Sequence, residues 1–313
     1  MRSRILILLL VAAIMASFAA SAFAADGTWT EAKVKYDGYE REYATYIPAS
    51  WKRGGPVMVF FHGFTLGFKD YRKGTGMLEA ADKYSIALLM PNGLALKVKS
   101  TAWLLNPRVW DMGQVQDRNE FIDDAGFVSW LINDFIARNG ADAGRVFLGG
   151  HSNGAFFAHY MVGLNPGRFA GLVSIMGRFY KLTVPRAIPP IPTLIINGLQ
   201  DPILPIEGKE GTAPQQNVPA AQGNIEYWAS IMGLESSASR SELKEGGYRL
   251  QYKDALGKVM LVADYVDKQG HWVPGARPTA FQSFFAGPIN MSYKGFDRAF
   301  GMLLGATGKG FGN

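Results

Sequence analysis

Acyl transfer by a hydroxyl needs a serine held out from its backbone, an imidazole to take its proton and an acid to hold that imidazole. The segment Gly150-His151-Ser152-Asn153-Gly154 offers the first of these. It has the form G-x-S-x-G, follows the buried run Arg145–Gly150 and precedes the apolar stretch Ala155–Leu164. Such a serine must sit on a sharp, strained strand-to-helix turn, and small residues two before and two after it let strand and helix close together. A five-residue pattern alone also fits a glycine-rich turn without chemistry. The remaining parts must therefore be found elsewhere in the chain.

The chain has four histidines. His151 adjoins the serine, and neighbouring side chains there point in different directions. His159 lies about 10 Å further along a helix and reads as a structural partner. His62 ends an earlier strand, whereas this arrangement runs serine, acid, histidine in chain order. His271, in Asp267-Lys268-Gln269-Gly270-His271-Trp272-Val273-Pro274-Gly275, is left as the base on a loop past a late strand. The acid is expected just after the preceding parallel strand, where "TLIINGLQDP" places Asp201. An aspartate before proline is also a common turn residue. Asp254, Asp264 and Asp267 lie in or beside late strands and are weaker choices. Oxyanion donors are expected from the backbone of Asn153 and of the loop after "VMVFFHG", at Phe64 or Thr65, with Phe64 preferred.

These residues need a scaffold that brings strand ends to one edge. "PVMVFFHG" and "SIALLMPNG" are short continuous apolar runs of the kind found in parallel strands buried on both faces. "REYATYIP" alternates like an edge or antiparallel strand. Helical patterns occupy Gly76–Tyr84 and Asp123–Gly140, the latter closed by Asn139-Gly140. Strand, helix, strand then recurs: "RVFLGG", a helix from about Asn153 to Leu164, "GLVSIMG", "TLIINGLQD", the helix "NIEYWASIMG", and late strands near "YRLQYKDA" and "VMLVADYVD". The alternation predicts an α/β protein with a mostly parallel central sheet and helices on both faces.

With these pieces together, the chain resembles the exported α/β-hydrolase esterases grouped with poly(3-hydroxybutyrate) depolymerases and with feruloyl or acetylxylan esterases, carbohydrate esterase family one. The resemblance runs from about Tyr36 to Gly275 on "YDGYEREYATYIP", "VMVFFHGF", "ADKYSIALLMPNG", "DDAGFVSWLINDF", "GRVFLGGHSNGAFFAHYM", "PTLIINGLQDPILP" and "QGHWVPG". It implies the α/β-hydrolase fold, Ser152 as nucleophile, Asp201 as acid, His271 as base and a carboxylic ester as substrate, with no cofactor and no metal. Phe64 stands where many members have Gly or Cys, and "HWVPG" replaces a Thr-Trp-Pro-Gly, which suggests a narrower or more aromatic acyl pocket. His62, Trp103, Trp110 and Trp272 are candidate substrate-binding residues, the aromatic rings suiting a ferulate group or an apolar polymer chain. Feruloyl or related plant-cell-wall esters rank ahead of polyhydroxybutyrate, because no separate domain for holding a solid follows His271.

Composition narrows the alternatives. The formal net charge is +6 over 313 residues, with no basic run longer than pairs, so no nucleic-acid partner is implied. Thiol chemistry is excluded, since there is no cysteine. Residues 1–24, with Arg2 and Arg4 before a short apolar run and Ala22-Phe23-Ala24 at its end, read as a secretory signal cleaved after Ala24. The expected organisation is a signal peptide, 1–24, and one catalytic domain, 25–313. The product would be secreted or periplasmic, with no stable membrane association and a small-molecule or oligomeric ester as its partner. A prolyl-oligopeptidase-type peptidase shares the triad order but usually carries a large extra domain. A triad-bearing binding protein without activity is the reading from another class.

Overall fold

The computed structural model describes residues 26–96, 106–112, 122–179, 187–210 and 218–306. The segment expected to be a signal peptide lies outside these residues, as does Trp103. Ten strands form one sheet: β1 Thr28–Tyr36, β2 Tyr39–Ile47, β3 Val57–Phe61, β4 Ala87–Pro91, β5 Val146–His151, β6 Gly171–Ile175, β7 Thr193–Gly198, β8 Ser239–Glu242, β9 Gly247–Lys253 and β10 Val259–Val266. Their spatial order is β1-β2-β4-β3-β5-β6-β7-β10-β9-β8. The six central strands, from β4 to β10, are parallel, and an antiparallel pair closes each side. All five residues of β3, β4 and β6 are buried, which is why their sequences are continuous apolar runs rather than alternating ones.

Successive residues of these strands face opposite layers. Val57, Val59, Phe61, Val146 and Leu148 meet the layer formed by α3 (Asp124–Asn139), α4 (Asn153–Leu164) and α5 (Ala221–Ile231), with Phe127, Phe157 and Trp228 at its centre. Met58, Phe60 and Phe147 meet α2 (Met77–Tyr84) and α7 (Gly295–Gly305), through Met77, Ala81, Phe296, Phe300 and Leu303. Two shorter helices, α1 (Lys69–Arg72) and α6 (Ala280–Ala286), complete the described set. Helix α3 begins where the Asp123 carboxylate accepts the Gly126 N–H at 2.7 Å, and it ends on Gly140 in the left-handed region, φ 69°.

The sheet is wider than the sequence pattern suggested. Of the two expectations for β2, it is the antiparallel strand and not an edge, because it pairs antiparallel with β4 and β1 covers its other side along its whole length. β1 is half-polar and the short β8, Ser-Arg-Ser-Glu, is wholly polar and exposed, so neither announces itself as an apolar run. The C-terminal stretch, which has no place in the recurring strand–helix pattern, supplies α7, whose apolar stripe packs against one side of the sheet.

Candidate active site

Ser152 sits between β5 and α4 with φ 52° and ψ −124°, a conformation that a residue with a side chain reaches only under strain. The flanking glycines are explained by contact. A Cβ on Gly150 would run into the Gly154 carbonyl, and one on Gly154 into the carbonyls of Phe61 and His62. Strand β3, strand β5 and helix α4 therefore meet at van der Waals limits around the serine. The hydroxyl is left pointing beyond the carboxyl ends of the strands.

The structure brings Ser152, His271 and Asp201 together. The Ser152 Oγ lies 2.8 Å from His271 Nε2, and Asp201 Oδ2 lies 2.7 Å from His271 Nδ1. A carboxylate can only accept, so Nδ1 carries the imidazole proton and Nε2 presents its lone pair to the serine hydroxyl. The other Asp201 oxygen accepts the amides of Ile203 and Leu204, each at 2.8 Å. Burial would raise the Asp201 pKa, but the bond from His271 and those two amides outweigh it and hold the carboxyl below its ordinary value. Asp264 is committed elsewhere: Arg249 grips both its oxygens, at 2.7 and 2.8 Å, and the Tyr293 hydroxyl donates to it. Asp254 caps the β9–β10 turn through the amides of Leu256 and Lys258.

The loop carrying His271 is fixed by backbone bonds and by Gln269, which is fully buried. Gln269 Nε2 donates to the carbonyls of Gly270 and Trp272, and its Oε1 accepts the Asn290 amide. The Gln200 amide donates to the Gln269 carbonyl at 2.9 Å, tying the acid loop to the base loop. Nothing in the sequence near Gln269 marks it, since its partners are brought in only by tertiary packing.

At the expected oxyanion loop, Thr65 N–H donates to the Arg108 carbonyl at 3.0 Å and is not free for a ligand. The amides of Phe64 and Asn153 have no acceptor among the described residues. Asn153 begins α4, where an amide has no partner within the helix. Its side-chain Oδ1 accepts the Trp110 amide at 3.0 Å, which holds the 106–112 segment over the helix start.

Three expected substrate-binding residues are placed differently. His62 is buried: its Nε2 accepts the Gly93 amide, and its Nδ1–H donates to the Gly63 carbonyl at 2.8 Å. In the trans peptide that follows, holding the Gly63 carbonyl fixes the opposite direction for the Phe64 N–H. His62 thus orients the loop and does not face a ligand. Trp110 is 0% exposed, stacks on Phe157 and donates its indole N–H to the His62 carbonyl. Trp272 is 3% exposed and stacks on Tyr71. A ring enclosed on every side contributes packing, not a binding surface. Phe64, by contrast, is 50% exposed.

The other two histidines are also buried and neutral. Burial pushes the pKa of His62, His151 and His159 down to about 3 in each case. His159 lies edge-on to Trp228, with ring centroids 4.3 Å apart, which is the structural placement expected for it.

Residues 45–242 match the phospholipase/carboxylesterase family model. The chain belongs to the phospholipase/carboxylesterase family. The match includes Ser152 and Asp201 and stops short of His271, so the place of the histidine in this family member is read from the geometry above. A curated relative, the candidate esterase NocK of Nocardia uniformis subsp. tsuyamanensis, is 27% identical over 194 residues, 61% of this chain. The chain spans about half, 53%, of that relative's length. Among solved structures, an acetyl xylan esterase from Aspergillus awamori superposes with a TM-score of 0.54 at 15% identity, over 85% of this chain and 99% of the other. The fluorophosphonate-binding serine hydrolase FphF of Staphylococcus aureus gives 0.52 at 11% identity, over 89% and 98%. At such identities the likeness is one of fold, and that fold is the α/β-hydrolase fold expected from the sequence.

Proposed function

We propose that this phospholipase/carboxylesterase family member is a serine esterase, with Ser152 as nucleophile, His271 as general base and then acid, and Asp201 as the group that holds the imidazole. The observation that carries the reading is the continuous chain from Ser152 Oγ to His271 Nε2 to Asp201, at 2.8 and 2.7 Å. In the first half-reaction the serine oxygen attacks the ester carbonyl while its proton moves to Nε2. The developing oxyanion lies toward the amides of Phe64 and Asn153. Collapse expels the alcohol, which takes the proton from His271, and leaves an acyl-serine. Water then attacks that ester by the same proton route and releases the acid. Asp201 keeps its negative charge throughout and stabilises the imidazolium.

For the acyl group, feruloyl or related plant-cell-wall esters come first and polyhydroxybutyrate oligomers second. With Trp110 and Trp272 enclosed and Trp103 outside the described residues, the exposed Phe64 is the described ring that supports the aromatic preference. Export is part of the proposal and rests on residues 1–24; the amino-terminal sequence of the protein recovered outside the cytoplasm tests it, with Ala25 expected as the first residue. Function is tested by initial rates on p-nitrophenyl acetate, methyl ferulate and 3-hydroxybutyrate oligomers. Ser152→Ala should lower every rate by a factor of about 10⁴ or more. Turnover that survives the substitution refutes the serine mechanism, and a preference for the oligomers refutes the feruloyl ranking.

A further inference from the structure

His151 and Tyr71 lie under the site with no part in the proton transfer just described. Tyr71 is on α1 and His151 ends β5, 80 residues apart in sequence and both buried. The His271 carbonyl lies 2.9 Å from His151 Nε2 and can only accept, so Nε2 carries the proton. His151 Nδ1 is then an acceptor, and the Tyr71 hydroxyl donates to it at 2.8 Å. The Tyr71 oxygen in turn accepts the Gly63 N–H at 3.1 Å. One directional chain therefore runs from the oxyanion loop to the base: Gly63 N–H, Tyr71 O–H, His151 Nε2–H, His271 carbonyl. Both of its ends are backbone atoms of the two segments whose separation decides whether an ester carbonyl can meet donor and base at once.

We propose that Tyr71 and His151 are positioning residues for catalysis, forming a bridge that sets the distance between the Phe64 amide and the His271 imidazole. The proposal rests on the serine-esterase reading. The bridge suits this task because it has one arrangement. Burial holds the His151 pKa near 3 and pushes that of Tyr71 upward, so neither group changes charge while the enzyme works. Reversing the imidazole tautomer would set a lone pair against the His271 carbonyl. The Trp272 ring stacks on Tyr71 at 5.7 Å and meets His151 edge-on at 5.3 Å, closing the space in which either side chain could turn. A Cβ on Gly63 would come within 3.0 Å of His151 Nδ1, which shows how closely the oxyanion loop rests on the bridge.

The test compares wild type, Ser152→Ala, Tyr71→Phe, His151→Gln and the Tyr71→Phe/His151→Gln pair. It reads kcat and KM for p-nitrophenyl acetate, the rate of labelling by a fluorophosphonate, and Tm. Tyr71→Phe keeps the ring on Trp272 and removes one hydroxyl. It is expected to lower kcat on the order of tenfold to a hundredfold, the scale set by small misplacements of reacting groups. KM should stay within about twofold, as for loss of an interaction felt in the transition state. Labelling should slow in the same proportion as kcat, because phosphonylation uses the same donors and base. The double variant should be no slower than the slower single one, since either change breaks the same chain. A folded Tyr71→Phe protein with wild-type kcat and labelling rate overturns the proposal, as do single losses that multiply in the double variant. A fall in Tm without a fall in kcat makes the role structural only and also overturns it. Should His151→Gln not fold, Tyr71→Phe decides alone. Absence of Ser152-dependent turnover in wild type would instead refute the esterase reading on which this rests.

Discussion

Acidification should destabilise this protein from about pH 6.5 downward, because three of its histidines are buried without charge. His62, His151 and His159 each have a folded-state pKa near 3, against an ordinary 6.5. Below pH 6.5 the unfolded chain binds a proton at each of these positions and the folded chain does not. The stability they contribute is therefore complete above about pH 6.5 and is lost as pH falls toward 3. One such group loses about 1.4 kcal/mol per pH unit within that window. Between pH 7 and pH 5 the loss is about 2 kcal/mol for each histidine and about 6 kcal/mol for the three. Asp201, held below its ordinary 3.8, adds a loss only at still lower pH. Asp82, whose pKa burial raises, works in the opposite sense, one group against three. A domain holding about 5–15 kcal/mol should thus be near its unfolding point close to pH 4–5. Scanning calorimetry from pH 8 to pH 4 should show Tm flat above pH 7 and falling by roughly 10 °C or more by pH 5. His159→Leu, at a site lined by Phe179 and Trp228 and far from the triad in role, should remove about a third of the slope. A Tm that stays level down to pH 4.5, or a slope unchanged in the His159 variant, would refute the reasoning.

Asp201→Asn keeps the shape of the acid but lets the side chain donate to His271, favouring the wrong tautomer; kcat should fall by about 10⁴ while chemical denaturation shows a much smaller change in stability. Gly154→Ala drives a methyl group into the carbonyls of Phe61 and His62, backbone atoms that cannot turn aside. It should cost more than about 2 kcal/mol in urea unfolding and abolish turnover, whereas Gly305→Ala, with open space at its Cβ, should cost nothing measurable.

The central sheet was legible in the chain's pattern alone, because strands buried on both faces must be continuously apolar and helices that cover them must keep a periodic face. The same pattern narrows the candidate catalytic groups to Ser152, Asp201 and His271, since four histidines and the order of strand ends leave few choices. Edge strands β1 and β8 and helix α7 were not legible in this way. Their residues are half or wholly polar, or lie outside the recurring strand–helix pattern, and their places depend on neighbours far along the chain. Burial was the larger gap. Trp110, Trp272 and His62 have the chemistry of binding residues, and a one-dimensional pattern cannot tell a ring at a pocket wall from a ring enclosed behind it. Between Phe64 and Thr65 the sequence pattern has no means of seeing that the Thr65 amide is taken by the Arg108 carbonyl, a contact that favours Phe64 as the proposed donor. Tyr71, His151 and Gln269 entered only with the tertiary structure, because each acts through backbone atoms of loops that folding alone brings within hydrogen-bonding distance.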